Sequence, residues 1–265
     1  MGQLGVCHPD WMPCVTSVDA LAQAVAGFVV EDQVLELDPA AVAAAQGSVE
    51  ESGLLLLGEV HGVRENPLLA RALMRAFGLS RLALEWPEGL APVIEAFQAT
   101  GTLDDHWLLW AGDGRITAGH LAVLAERTAA GPVPVTLFDG AVGAGWGWSD
   151  RDEAMAGRIL AAAPPGTRTL VVAGNAHTHT EPTELGVPMG AWLARKRPGV
   201  REIRINYGSG RYYNMRPCAF ARQGGPARRM RLHQEHGTLE LDLPAAEEAV
   251  VPQRSELWPP ARTES

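Results

Sequence analysis

Glu59, His61, Glu85, Asp139, His177 and His179 are the residues of this chain whose types and spacing could do acid–base chemistry. Glu59 and His61 lie in Gly58-Glu59-Val60-His61, directly behind the apolar run Leu54-Leu55-Leu56-Leu57. His177 closes Gly174-Asn175-Ala176-His177, directly behind Leu170-Val171-Val172-Ala173. In an extended segment, residues i and i+2 point to one side, so Glu59 and His61 can converge on one centre. His177 and His179 stand in the same relation. A carboxylate bonded to an imidazole orients it and raises its basicity, which lets the ring take a proton from water. Alternatively, Glu59, His61 and His177 would form an open divalent-metal site that acidifies bound water.

Either chemistry needs several strand ends at one place. Each apolar run reads as a strand covered on both faces, and the glycine behind it lets the backbone turn sharply. In open α/β sheets, ligands bind at that carboxyl edge. Arg81-Leu82-Ala83-Leu84 is a further strand, ending in Glu85-Trp86-Pro87, and Val133–Phe138 is another, ending in Asp139-Gly140. Arg201–Tyr207 is the fifth. Helices are expected between them: from a Ser17 cap to Phe28, from Asp38-Pro39 to about Gly47, and from Asn66-Pro67 to Gly78. Others are expected around 90–98, from Thr117 to about Ala130, from Ser149-Asp150-Arg151-Asp152 onward, and near 188–196. The alternation implies an α/β fold, a mostly parallel sheet flanked by helices. The expected division is an N-terminal arm with helices over 1–50, an α/β core over 51–210 and a C-terminal extension over 211–265.

The bare Gly-x-x-His pattern is close to chance. With 8 histidines and 29 glycines among 265 residues, about one copy is expected at random. A third copy, Gly5-Val6-Cys7-His8, has no strand before it and is assigned no role.

Composition excludes several classes. The net charge of −9 and the lack of a basic stripe argue against nucleic acid. Lys196 is the sole lysine and lacks the glycine spacing of a phosphate loop, so neither that loop nor a Schiff base is expected. Gly208-Ser209-Gly210 is not a nucleophile elbow, and Gly140–Gly147 does not match a dinucleotide fingerprint. Three scattered cysteines imply free thiols. No signal-peptide pattern and no run of ~18 apolar residues occur, so a cytoplasmic protein with no membrane span is expected.

Structural alternatives stand beside the functional ones. Glu85 would also suit a salt bridge to Arg64 or Arg151, and Asp139 a cap on the glycine loop. Asp152 fits a capping box with Ser149. Trp146 and Trp148 suit an apolar lid or a loop packed on itself. His106, His120, His233 and His236 lack a strand-end context and read as surface or core residues.

Four of these motifs, in order, resemble those of the erythromycin esterase/ChaN/Tiki superfamily. Gly58-Glu59-Val60-His61-Gly62, Glu65, the helix 66–78 and Leu82-Ala83-Leu84-Glu85 resemble its opening. Arg151-Asp152-Glu153-Ala154-Met155-Ala156 is similar to the Arg-Asp-x-x-Met-Ala helix start of the esterase branch. Gly174-Asn175-Ala176-His177 is similar to the second histidine motif. The single residue between Glu59 and His61 matches the ChaN and Tiki forms. The resemblance implies a parallel α/β core and water-activating hydrolysis, with His61 as general base and Glu59 and Glu85 orienting it. His177 would complete the site and Arg151 would steady a carboxylate. Arg64, Glu65, Trp86, Asp139, Trp146, Trp148 and His179 are the candidate substrate contacts. The expected substrate is a small, largely apolar ester, lactone or biosynthetic intermediate. The alternative is a ChaN-like haem- or metal-binding protein with His61, His177 and Tyr207 as ligands.

Overall fold

The computed structural model describes residues 14–126, 131–140, 146–215, 217–220 and 229–254. The Gly5–His8 copy, Cys7, Gly143 and Gly145 lie outside them. The chain opens with β1 (Cys14–Val15) and α1 (Val18–Gly27), whose N-cap Ser17 accepts from Ala20 N–H. After β2 (Glu36–Leu37), α2 (Pro39–Ser52) starts on an Asp38 cap and runs straight through Gly47. Gly53, at φ 75°, ends it instead, because a left-handed cap suits glycine.

The core then follows as β3 (Leu54–Glu59), α3 (Asn66–Phe77), β4 (Arg81–Pro87), α4 (Ala91–Thr100), α5 (Ala118–Ala125) and β5 (Val135–Asp139). Next come α6 (Trp148–Ala162), β6 (Thr169–Gly174), the single turn α7 (Asn175–Thr178), α8 (Met189–Lys196) and β7 (Glu202–Tyr207). The last strands are β8 (Arg211–Tyr213), β9 (Pro217–Ala219), β10 (Arg231–Glu235), β11 (Thr238–Leu243) and β12 (Val251–Pro252).

Eight strands form one sheet in the order β2-β10-β11-β7-β3-β6-β4-β5. All its pairings are parallel except the β10–β11 hairpin. The sheet does not stop at residue 210, since β10 and β11 extend it and β2 caps its edge. β3 and β6 lie at the centre and are buried on every residue. Their side chains divide between two clusters. Leu55, Leu57, Leu170 and Val172 pack with Leu69, Leu73 and Leu121 of α3 and α5. Leu54, Leu56, Val171 and Ala173 pack with Met155, Ile159 and Leu193 of α6 and α8. Two covered faces explain why these strands show no polar alternation, and each buried leucine contributes about 1.5–3 kcal/mol relative to exposure.

Among the described residues no helix is long and apolar enough to cross a membrane. Cys14 is free and its thiol donates to Gln253 Oε1 at 3.3 Å. Cys218 is disulfide-bonded, which overturns the expectation of a free thiol there.

Candidate active site

The order β3-β6-β4-β5 sets four carboxyl ends side by side, carrying Glu59 and His61, His177, Glu85, and Asp139 respectively. Glu85 is at the centre and only 4% exposed. Its Oε2 accepts from Gly174 N–H at 2.8 Å and its Oε1 from Arg151 Nη2 at 3.0 Å. Arg115 Nη1 stands 3.6 Å from Oε1. Burial pushes the Glu85 carboxyl up, but the charges of His177, His61, Arg115 and Arg151 outweigh it and hold the group at about 2. It is a fixed anion.

Each histidine faces Glu85 and has a carboxylate of its own behind it. His61 Nδ1 is 3.2 Å from Glu59 Oε1, and its Nε2 is 3.8 Å from Glu85 Oε2. His177 Nδ1 is 2.9 Å from both oxygens of Asp152, and its Nε2 is 3.6 Å from Glu85 Oε1. Arg151 Nη1 approaches His177 Nε2 at 3.2 Å. A guanidinium can only donate, so that nitrogen accepts and the ring's proton sits on Nδ1, toward Asp152. Among the described residues no such donor meets His61 Nε2. Burial pushes His61 down, yet the Glu59 hydrogen bond and the charges of Glu85, Glu59 and Asp113 leave it above its ordinary value.

The two glycines work differently from the sequence expectation. Neither Gly58 nor Gly174 has a positive φ, so a sharp backbone turn is not what requires them. Space is. A Cβ on Gly174 would lie 3.0 Å from His61 Nε2, and one on Gly58 would lie 2.5 Å from Thr178 Oγ1 and 3.3 Å from Asn175 Cα. Each turn's glycine thus makes room for the other turn. The His61 turn is further clamped at Val60, whose N–H donates to the Tyr207 hydroxyl at 3.0 Å while its carbonyl accepts from Asn66 Nδ2 at 2.8 Å. Tyr207 in turn donates to Asn66 Oδ1, so it is tied into this clamp.

Asp139 joins the centre; residues 141–145 of the glycine loop it was expected to cap lie outside the described residues. It accepts from Arg151 Nε at 3.1 Å and Nη2 at 2.9 Å, and also pairs with Arg115. Asp152 is not a cap for its own helix. The helix begins at Trp148, and Asp150 Oδ2 accepts from Gly147 N–H there at 2.8 Å. Asp152 is fully buried and accepts from Met189 N–H at 2.7 Å, so it caps α8 while holding His177. Arg115 was not among the expected residues; it follows a turn at Gly114, with no strand end to mark it.

Several expected contacts lie elsewhere. His179 does not join His177, because Asn175–Thr178 is a helical turn rather than extended. Its Nδ1 meets Glu202 Oε2 at 3.3 Å and Arg204 Nη2 at 3.2 Å instead. Arg64 stands 3.7 Å from Glu247, and Glu65 accepts from Glu247 N–H at 3.0 Å. Trp86 is buried and donates to Arg115 O at 2.9 Å, which makes it a support for Arg115. Trp148 stacks on His177, with ring centroids 5.2 Å apart and an interplanar angle of 15°. Trp146 is 46% exposed.

The centre does not fit a metal as it stands. Among the described residues no group of three His, Cys, Asp or Glu side chains is placed to hold one. Glu59 and Asp152 engage the two Nδ1 atoms, and the Arg151 cation faces the remaining nitrogen of His177.

No family model matches the chain, and no curated protein matches it. Among solved structures, one described as "Bacterial protein toxins" is similar at 18% identity and a TM-score of 0.40. That match covers 71% of this chain and 39% of the other, so the chain spans about two fifths of that protein. The type III effector HopBA1 is similar at 15% identity and a TM-score of 0.42, covering 82% of this chain and 98% of its own.

Proposed function

We propose that this protein is a hydrolase of the erythromycin esterase/ChaN/Tiki type, acting on a small, largely apolar ester, lactone or biosynthetic intermediate. The observation that carries the reading is the asymmetry at His61. Its Nδ1 is held by Glu59 while its Nε2 is left facing Glu85 beyond hydrogen-bond range. A water beside Nε2 would give its proton to the ring as its oxygen attacks the substrate carbonyl. The resulting tetrahedral intermediate then collapses: the C–O bond to the leaving alcohol breaks, and the His61 proton passes to that alcohol. Glu59 holds the ring through both transfers, and the anion of Glu85 stabilises the imidazolium formed between them. His177, stacked against Trp148, Arg151 and Asp139 form the opposite wall. The apolar substrate preference draws on Trp148 at that wall.

A panel of short-chain and aromatic esters and lactones, assayed by hydroxide uptake, tests this. His61→Gln should lower kcat/KM by at least about a hundredfold on any substrate turned over, since a positioned general base contributes about 10²–10⁴. Hydrolysis undiminished in His61→Gln, or none across the panel by the native protein, would sink the reading.

A further inference from the structure

Glu59 uses one oxygen on His61 and leaves the other bare. Oε2 is buried and no hydrogen-bond donor among the described residues meets it, although buried carboxylate oxygens almost always find one. Glu59 as a whole is 3% exposed. Against it lies a water-sized cavity that His61, Glu85, Trp86, Arg115 and His120 also line.

His120 is the member of that lining with no task so far. It sits on α5, 5% exposed, with its ring edge-on to Trp86 at a centroid distance of 5.8 Å. Thr117 Oγ1, the N-cap of α5, accepts from His120 N–H at 3.2 Å and lies 2.9 Å from His120 Nδ1. The hydroxyl's one hydrogen is therefore free to donate to Nδ1. An imidazole that accepts at Nδ1 and stays neutral must carry its proton on Nε2. Burial favours the neutral form, pushing His120 below its ordinary value. The cavity thus brings a donor without an assigned acceptor and an acceptor without a donor to one place.

We propose that His120 is a positioning residue for the Glu59–His61 pair, its Nε2–H completing Glu59 Oε2 through a single bridging water in this cavity. A carboxylate bonded at both oxygens cannot swing about its own axis, so His61 is held with Nε2 toward Glu85. The catalytic consequence rests on the reading of His61 as the base; the hydrogen-bond chain does not.

Nitrogen-15 NMR of histidine-labelled protein without substrate tests the chain apart from any turnover. His120 in the native protein should be the neutral Nε2–H tautomer; an Nδ1–H tautomer overturns the proposal. The His61 Nδ1–H proton, bonded to Glu59, should give a downfield resonance. His120→Gln, which keeps a donor, should preserve it, and His120→Leu should shift or broaden it. A folded His120→Leu variant with that resonance unchanged overturns the proposal as well. Should His120→Leu fail to fold, the tautomer in the native protein still decides. Where an ester is turned over, His120→Leu should lower kcat about tenfold with KM unchanged, and His120→Gln should restore it.

Discussion

The Gly58–His61 and Gly174–His177 turns share a sequence pattern and an address, yet the fold puts them to different use. The first takes its carboxylate from two residues away, and its outer nitrogen stays open. The second continues into a helical turn, takes Asp152 from α6, and has its outer nitrogen covered by Arg151. One histidine is left able to accept a proton. The other has both of its nitrogens engaged, by Asp152 on one side and Arg151 on the other. The lesson is that a motif specifies where an imidazole is delivered, while its state depends on what the neighbouring elements present to it.

Removing what the two turns share gives the largest expected effect. Glu85→Ala leaves Arg115 and Arg151 short of a buried counter-ion, and such losses cost about 3–5 kcal/mol. Urea unfolding should show it. The pH dependence sharpens the point, because Glu85 and His61 act with opposite signs. Glu85 is held at about 2 against an ordinary 4.5, so its stabilisation is complete above pH 4.5 and lost as pH falls toward 2. His61 lies above its ordinary 6.5, so its stabilisation is complete below pH 6.5 and lost as pH rises through the raised value. Glu85→Gln should flatten the acid limb of the stability profile and His61→Ala the neutral-to-alkaline one. An acid limb unchanged by Glu85→Gln would contradict its central place.

The glycines allow each turn to be disturbed through the other. Gly58→Ala presses on Thr178 Oγ1 and the Asn175 backbone, so it should displace α7 and His177. Gly174→Ala presses chiefly on the His61 ring, a side chain that can move, and should displace His61 alone. Overpacking of this kind costs about 1–3 kcal/mol, with Gly58→Ala the larger of the two. Thermal denaturation and histidine NMR would rank them. If Gly174→Ala left the His61 resonances untouched, the mutual accommodation of the turns would be wrong. The smallest effect belongs to Trp148→Leu, which removes the stack on His177 at a cost of about 0.5–1.5 kcal/mol. His61 resonances should not respond to it, whereas those of His177 should.

Much of the scaffold was legible because its causes are local. Ser17, Asp38-Pro39 and Gly78 mark helix ends through their own backbone and capping chemistry. Leu54–Leu57 announces a strand buried on both faces. Glu59, His61, Glu85, Asp139 and His177 were legible as a set because strand ends deliver them, and Arg151 through the motif that opens α6. The misses share a different cause. Ser149 and Asp152 have the spacing of a cap, but the helix starts one residue before Ser149, and Asp150 takes that role. His179 follows the i+2 rule only in extended backbone, and the backbone there is helical. Arg115 meets Glu85 across 30 residues of chain, and nothing in its own neighbours records that contact.

By itself the sequence determined which side chains reach the carboxyl edge of the sheet, since strand, glycine and polar residue follow one another in the chain. Only the tertiary structure decided their states. Hydrogen-bond partners and charges act across space, and His61 and His177 differ through Glu59, Asp152, Arg151 and the room that each glycine leaves for the opposite turn.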